Sequence, residues 1–160
     1  MLNKDYRDIL QSLLAEKAKF LLVGAHALAA HGYLRATMDI DIWVMASPDN
    51  ADAVLRALQR FGAPLHDLKE SDLQREDTVF QIGMAPRRID IITSATGLKF
   101  DEAFARSIEA IIDGMAIRVL SVEDIIINKK ATGRTKDLAD AEALESIQES
   151  NAKLPDIKEK

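Results

Sequence analysis

The chain has 160 residues, of which 48% are apolar and 29% charged, and its formal net charge is −5 at pH 7. These values are typical of a globular protein, and we expect a single domain over residues 1–150 with a frayed tail at 151–160. The absence of cysteine excludes disulfides and thiolate metal sites. The sequence shows no signal-peptide core and no apolar run of about 18 residues, so we expect a cytoplasmic protein without membrane contact.

The charge is unevenly distributed. Residues 129–137 (KKATGRTKD), called here the basic segment, hold four cations and one anion, a local charge of +3 that leaves −8 on the rest of the chain. A small basic cluster on an acidic protein favours a site for one anion over a track for a long polyanion. Eight aromatic residues offer few platforms for stacked bases, so a general RNA-binding module is disfavoured.

The first half of the chain alternates helical and extended patterns. Apolar residues recur at helical spacing near the amino terminus, whereas FLLV is a short apolar run that stops at Gly24. Residues 37–44 alternate with a period of two, as a half-buried strand does. In chain order we predict a helix at 3–17, a strand at 20–23, a helix at 25–31 ended by Gly32, a strand at 37–44, a helix opened by Ser47-Pro48 and a polar connection at 63–77.

The second half favours two hairpins and two final helices. Met84-Ala85-Pro86 joins two β-rich runs, and Asp113-Gly114 is a strong hairpin turn. In order we predict strands at 79–83 and 87–93, a short helix near 101–106, a second hairpin with strands near 111–112 and 115–120, a helix at 121–132 opened by a capping box, and a last helix at 135–148. The predicted fold class is therefore α+β, with one small antiparallel or mixed sheet.

Three aspartates stand out within the predicted strands. Asp39 and Asp41 occupy alternate positions, so their side chains share one strand face about 6.6–7 Å apart. Asp90 is a lone carboxylate among isoleucines, and all three carboxylates converge if the two strands are neighbours. Mg²⁺ prefers a few carboxylate oxygens together with water and phosphate, and paired ions activate an attacking oxygen. The alternative is the solvent-exposed face of an ordinary sheet, where water relieves the repulsion between the carboxylates.

Two further features favour anion binding. A strand that ends at Gly24 and runs into a helix leaves free backbone N–H groups for phosphate, although a plain strand-to-helix turn has the same pattern. In the basic segment, Lys129 and Lys130 suit the carboxyl end of a helix, where cations meet the helix dipole. Arg134 and Lys136 flank a new helix start, which favours an anion. Structural and anion-binding interpretations of this segment both stay open.

Four other residues are ambiguous. His26 and His31 are five positions apart, which turns them away from each other on a helix, so packing or capping is favoured over metal binding. Trp43 follows the aspartates on the same strand face and is interpreted as a core residue, with a platform for a nucleobase as the alternative. Arg35 could reach a triphosphate, or it could be an ordinary surface arginine.

The order of these features is more informative than any one of them. The stretches FLLVGAHALAAHGYLRATMDIDIWV, RRIDIIT and LSVEDIIINKKATGRTKDLAD together span about residues 20–140. Their succession of a strand ending in Gly, an Arg-x-Thr, an Asp-x-Asp strand, a later lone Asp and a Gly-Arg-x-Lys-Asp segment resembles the minimal nucleotidyltransferases of the DNA polymerase beta superfamily. In particular, the chain is similar to small bacterial nucleotidyltransferase-like proteins related to abortive-infection and toxin–antitoxin systems.

The resemblance implies a nucleotidyltransferase fold, in which helices back a small mixed sheet and further helices follow at the carboxyl end. It also implies transfer of a nucleoside monophosphate from an NTP to a hydroxyl, with Mg²⁺ or Mn²⁺ as cofactor. Asp39 and Asp41 match the metal-binding pair of the superfamily, and Asp90 matches its third carboxylate, which acts on the attacking hydroxyl. All three are therefore candidate catalytic residues and metal ligands. The nucleotide-binding candidates, from the resemblance and from the cations singled out above, are Gly24, Ala25, Arg35, Lys129, Arg134 and Lys136.

The chain departs from the family pattern at the phosphate-cradling turn. It reads Gly24-Ala25 where the superfamily usually has Gly-Ser or Gly-Gly, so a serine hydroxyl is missing while the backbone N–H groups remain. The expected partners are an NTP and an acceptor hydroxyl on RNA, protein or a small molecule, with a cognate toxin or antitoxin chain as a further candidate. The alternative is a nucleotidyltransferase-fold protein that binds nucleotide, or a partner chain, without turnover. The sequence specifies neither base, acceptor nor oligomeric state.

Overall fold

The computed structural model describes residues 2–33, 39–84 and 86–152. The helices in this part of the chain are α1 (Lys4–Ala15), α2 (Gly24–Ala30), α3 (Pro48–Phe61), α4 (Glu70–Leu73), α5 (Phe100–Arg106), α6 (Val122–Thr132) and α7 (Thr135–Ala152). The strands are β1 (Phe20–Val23), β2 (Ile40–Val44), β3 (Val79–Ile82), β4 (Ile89–Ile92), β5 (Ile108–Ile112) and β6 (Met115–Val119). Over the residues described, none of the helices is long and apolar enough to cross a bilayer.

The strands form one mixed sheet in the order β3-β4-β2-β1-β6-β5. β1 runs antiparallel to β2 and parallel to β6, and β2 runs parallel to β4. The outer pairs, β3–β4 and β5–β6, are the two antiparallel hairpins that the turn residues predict. The predicted α+β class with a small mixed sheet is therefore confirmed.

Side-chain caps determine where several helices begin and end. Asn3, Ser47 and Ser121 each accept a hydrogen bond from the backbone N–H three residues further on, at the starts of α1, α3 and α6. Gly62 and Gly133 end α3 and α6 in the left-handed conformation. These local signals explain why the predicted helix bounds agree with the structure within a few residues.

Four elements differ from the expectation. β5 begins at Ile108, whereas its strand was predicted near 111–112. β2 begins at Ile40, so Asp39 precedes the strand, and positions 37 and 38 lie outside the described residues. α4 lies inside the stretch predicted as a polar connection, because Leu73 is fully buried and packing stabilises a single turn that has little helical signal of its own. α7 reaches Ala152 instead of 148, and the rest of the expected frayed tail lies outside the described residues.

The central strands bury one face against the hydrophobic core, which includes residues of α1 and α3. On the core face, β2 and β4 place the buried isoleucines at 40, 42, 89 and 91. Alternation therefore turns Asp41 and Asp90 to the opposite face. Trp43 follows Asp41 on that opposite face, is 1% exposed and packs edge to face on Phe100, so its interpretation as a core residue is correct.

Candidate active site

The aspartates at 39, 41 and 90 form a carboxylate cluster at one end of β2 and β4. The two strands are parallel neighbours in which Asp41 is the register partner of Asp90. Partners on adjacent strands point to the same side of the sheet, so these two carboxyl groups lie side by side. Asp39 comes two positions before Asp41. Because the intervening isoleucines are buried on the other face, a register slip that separates the carboxylates would expose the core.

Arg88 connects two members of the cluster. Its Nε donates to Asp90 Oδ1 at 2.7 Å, and its Nη2 donates to Asp90 Oδ2 at 3.2 Å. The same Nη2 lies 3.3 Å from Asp39 Oδ2, and the backbone N–H of Arg88 donates to Asp39 Oδ1 at 3.1 Å. Asp39 and Asp90 therefore lie on the same side of the sheet. Arg88 was not predicted as a site residue from the sequence, although its position two residues before Asp90 places it on the same strand face.

The carboxyl group of Asp41 is the most perturbed of the cluster, with its pKa raised to about 6. Burial is the largest cause; the charge of Asp90, a hydrogen bond with the Asp90 carboxyl group and the charge of Asp39 add to it, and Arg88 acts against it. Within the described residues, Arg88 pairs with Asp39 and Asp90, whereas no ion pair of Asp41 is present. An additional cation would relieve the repulsion.

The donor set suits a hard divalent cation. Mg²⁺ takes oxygen ligands, and protein sites commonly supply one or two carboxylates while nucleotide phosphates and water complete the shell. Asp41 and Asp90 are adjacent and provide such a pair. In residues 2–33, 39–84 and 86–152, no group of three or more His, Asp or Glu side chains is arranged to hold a metal ion. Since Asp39 and Asp90 both engage Arg88, the predicted site of three carboxylates stays a prediction.

Gly24 borders the carboxylate cluster at the turn between β1 and α2. Its φ is +69°, in the left-handed region that favours glycine. A Cβ placed on Gly24 would lie only 2.5 Å from Asp41 Oδ2. Glycine is therefore required here both by backbone conformation and by the close approach of the Asp41 carboxylate.

A cavity of about 250 Å³ lies beside this turn. It is lined by Ala25 and Leu28 of α2, by Lys129, Arg134 and Lys136 of the basic segment, and by Asp137 and Asp140. Ala25 directly follows Gly24, which contacts Asp41, so the cavity adjoins the carboxylate cluster. Four of the six nucleotide-binding candidates thus meet at one cavity and Gly24 is next to it, whereas Arg35 lies outside the described residues.

Two of the three cavity cations are paired with acids of α7. Lys129 Nζ lies 3.2 Å from Asp140 Oδ2 and 3.8 Å from Asp137 Oδ1. Arg134 Nε donates to Asp137 Oδ2 at 2.6 Å. Burial opposes ionisation of Asp137, but hydrogen bonds from Thr132 and Arg134 prevail and hold its pKa below the ordinary value. The structural interpretation therefore accounts for part of the basic segment.

Two lysines of the basic segment differ from Lys129 and Arg134, which line the cavity and also have ion pairs. Lys136 is exposed and lines the cavity, and the structure of the described residues contains no ion pair of its side chain. Lys130 bonds Glu145 of α7 at 2.7 Å and does not line the cavity. Three cations and two carboxylates leave the cavity lining with a formal charge of +1. Lys136 is therefore the cavity cation best placed to meet an anion without breaking an existing ion pair.

The histidines occupy packing positions, as favoured from their spacing. His31 Nε2 lies 2.8 Å from the Leu120 carbonyl oxygen, and His26 packs edge-on against Tyr6. Burial lowers the pKa of His26, and a hydrogen bond with the backbone of Asp39 partly offsets this effect. His26 therefore supports the backbone of the carboxylate cluster, a contact that the sequence analysis did not predict.

Comparisons with known proteins agree with this architecture. No curated protein matches the chain. The crystal structure of a Thermotoga maritima protein, provisionally described as a nucleotidyltransferase, superposes with a TM-score of 0.55 at 16% identity, over 94% of this chain and 96% of that one. This likeness shows the nucleotidyltransferase fold. A family model described as "Nucleotidyltransferase of unknown function (DUF6036)" matches residues 1–155. The chain therefore belongs to this family of nucleotidyltransferases of unknown function.

Proposed function

We propose that the protein transfers a nucleoside monophosphate from an NTP to a hydroxyl group of an acceptor, with Mg²⁺ or Mn²⁺ as cofactor. The observation that carries this proposal is the joining of two charged sites through one turn. Asp41 contacts Gly24, and the next residue, Ala25, lines a cavity with three cations. A triphosphate spanning this turn would place its reacting end at the carboxylates and its leaving end at the cations.

The carboxylates have separate roles in this proposal. Asp41 and Asp90 would hold the metal, and Asp90 would also orient the acceptor hydroxyl and take up its proton. Asp39 would complete the site once its carboxylate is released from Arg88. When bound, the metal supplies positive charge that stabilises the phosphoryl group and the departing pyrophosphate. The raised pKa of Asp41 supports the need for such a charge.

The turn and the cavity would hold the triphosphate. Backbone N–H groups near Gly24 and Ala25 would donate to phosphate oxygens, since a turn that opens a helix leaves such groups without partners. Lys136 would approach the pyrophosphate end directly, while Lys129 and Arg134 would do so from their ion pairs with α7. Arg35 remains a candidate for the same role. Most of the rate enhancement would come from positioning and charge stabilisation.

The alternative activity is nucleotide or partner binding without turnover, for example within a toxin–antitoxin pair. Ala25 favours it, because no side-chain hydroxyl is available at the turn where the superfamily usually has serine or glycine. Loss of one hydrogen bond to a charged phosphate would cost about 1.5–3 kcal/mol of binding free energy. This cost weakens affinity without removing a group that takes part in the transfer, so we favour the enzyme.

Label transfer tests the proposal. The protein is incubated with each of the four α-³²P-labelled NTPs, Mg²⁺ and a cell extract, and labelled products are separated into RNA, protein and small molecules. Asp41→Asn serves as the inactive variant. Asp67 is exposed and lies outside the carboxylate cluster, so Asp67→Asn serves as the matched control. We expect label with the wild type and Asp67→Asn only. NTP binding by the wild type without any labelled product would favour the alternative.

A further inference from the structure

Arg88 engages every carboxylate oxygen of two members of the cluster. Nε and Nη2 bind the two oxygens of Asp90, Nη2 also pairs with Asp39 Oδ2, and the backbone N–H binds Asp39 Oδ1. A cation that binds Asp39 Oδ2 or either oxygen of Asp90 therefore competes with the guanidinium for those oxygens. The geometry makes Arg88 a competitor of any metal at this site.

The backbone of Arg88 is held by hydrogen bonds, whereas its side chain can rotate towards solvent. The Arg88 carbonyl accepts a hydrogen bond from the backbone N–H of Ile40 at 3.0 Å and from the Tyr6 hydroxyl at 3.3 Å. Together with the N–H bond to Asp39, these contacts hold the peptide at the start of β4. The side chain is 31% exposed, so rotation about its own torsions can move the guanidinium towards solvent without disturbing the sheet.

A displaced guanidinium needs another anion. Metal alone would leave Arg88 without its carboxylate partners, so part of the gain from metal binding is lost. A triphosphate that arrives with the metal supplies new oxygens, and arginine binds phosphate in the same forked geometry as carboxylate. By linkage, the cation and the triphosphate then strengthen each other's binding.

We propose that Arg88 is a resident counterion that holds Asp39 and Asp90 until a metal–triphosphate complex arrives, and that it then turns to the triphosphate. This inference rests on the proposed function, because it assumes that the carboxylates bind metal. It makes Arg88 a phosphate-binding residue of the loaded site and the reason that the free protein binds divalent cations weakly. The chain thus avoids holding a metal ion in the absence of nucleotide.

Two binding measurements on the whole protein separate this role from a purely structural one. Calorimetry gives the affinity for Mg²⁺ alone and, in a second titration, for the preformed complex of Mg²⁺ with inorganic tripolyphosphate, which needs no knowledge of the base. Arg88→Gln should bind Mg²⁺ alone at least about tenfold more tightly and the complex at least about tenfold more weakly, each about 1.4 kcal/mol. Opposite shifts are expected only if Arg88 exchanges partners.

The neighbouring Arg87 provides the matched control. It is exposed and has no ion pair within the described residues, so Arg87→Gln removes the same charge without touching Asp39 or Asp90. Arg87→Gln should change both affinities by less than about threefold, because an exposed charge acts weakly through solvent. Equal effects of the two variants would overturn the proposal.

The outcomes distinguish this inference from the proposed function. If Arg88→Gln binds Mg²⁺ no more tightly than wild type, while Asp41→Asn abolishes binding of the complex, the counterion role is wrong and the metal site stands. If no variant and not even the wild type binds Mg²⁺ or the complex, the proposed function fails and the inference fails with it. Should Arg88→Gln not fold, Arg88→Lys keeps the charge without the fork, so it should bind the complex of Mg²⁺ with tripolyphosphate more weakly, and an unchanged affinity for that complex would overturn the proposal.

Discussion

The carboxylate cluster and the basic segment are both dense in charge, but only one is balanced by its own surroundings. In the basic segment, Lys129 and Arg134 pair with acids of α7, and Lys130 pairs with Glu145. In the carboxylate cluster, Arg88 pairs with Asp39 and Asp90, while burial and the neighbouring carboxylates raise the pKa of Asp41 to about 6. The described part of the fold therefore pairs most of the basic charge with acids and leaves Asp41 without an ion pair.

This difference indicates where a ligand is needed. Ion pairs at a helix junction stabilise the fold and can also guide an anion, so they do not identify a site by themselves. Like charges brought together without compensation disfavour folding, and they are expected where binding provides the compensation. The cluster is thus stronger evidence for function than the basic segment, although the basic segment is more conspicuous in the sequence.

The largest expected effect comes from removing one charge of the cluster. Asp41→Asn should lower label transfer on the order of 10²–10³-fold, the magnitude typical of losing one electrostatic contributor to catalysis. Wild type with Mg²⁺-NTP at 100 times its dissociation constant gains about 2.7 kcal/mol of stability, and the variant should lose most of that gain. Thermal melts with and without Mg²⁺-NTP measure this loss. If Mg²⁺-NTP changes the melting temperature of both proteins equally, the aspartates only form a solvent-exposed strand face.

The pH dependence of stability should reveal the same uncompensated charge without any ligand. A folded-state pKa near 6, against an ordinary value of 3.8, means that the folded state holds the Asp41 proton more tightly than the unfolded state does. The free energy of unfolding should therefore fall as the pH rises from about 4 to about 6, by up to about 3 kcal/mol, and this loss should be complete above the folded-state pKa.

Comparison with Asp41→Asn isolates this contribution, since asparagine does not titrate. The free energies of unfolding of both proteins are measured in urea with a chelator present. The value for the wild type minus that for the variant should decrease between pH 4 and pH 6 and stay constant above pH 7. At neutral pH the variant should be as stable as wild type or slightly more so. A difference that does not change with pH would contradict the raised pKa of Asp41, which burial and the neighbouring carboxylates cause.

A third variant tests the contact that joins the two regions. Gly24→Ala should destabilise the protein by about 1–2 kcal/mol, because alanine disfavours the left-handed conformation. The clash of the new Cβ with Asp41 Oδ2 should add a further loss of stability. Gly32→Ala is the matched control, with φ at +90° and no atom within 4 Å of the added Cβ. Denaturant unfolding should show a larger loss for Gly24→Ala. Equal losses would show that the close approach to Asp41 has no energetic weight.

Sequence patterns predicted most of the fold because the relevant signals are local. Period-two alternation identifies the β2 and β4 regions, Asp113-Gly114 gives the β5–β6 turn, and the capping residue Ser121 starts α6. α4 was not predicted, since a single turn depends on the burial of Leu73 and carries almost no helical periodicity. Local patterns therefore describe elements well, and they fail where tertiary packing decides.

The candidate site shows the same division. The aspartates and the cations of the basic segment were predicted from residue type and spacing. Their connection was not, because it depends on the β2–β4 register and on how α2 meets the basic segment in space. Arg88 was missed although its spacing from Asp90 was available, and Asp140 was missed because its role depends on how α7 packs on α6. Long-range pairing thus decides which charges are compensated.

The smallest expected effect separates anion binding from stabilisation within the basic segment. Lys136→Ala removes a cavity cation that has no ion pair within the described structure, so it should weaken tripolyphosphate binding about threefold to tenfold and leave the melting temperature nearly unchanged. Arg134→Ala removes one of the partners of Asp137, which is 8% exposed, so it should lower stability by up to about 1 kcal/mol as well as affinity. Calorimetric titration and thermal melts of both variants measure the two quantities. If Lys136→Ala lowers the melting temperature while tripolyphosphate affinity is unchanged, the basic segment serves only the fold, and the triphosphate must be held at the carboxylates and the Gly24 turn alone.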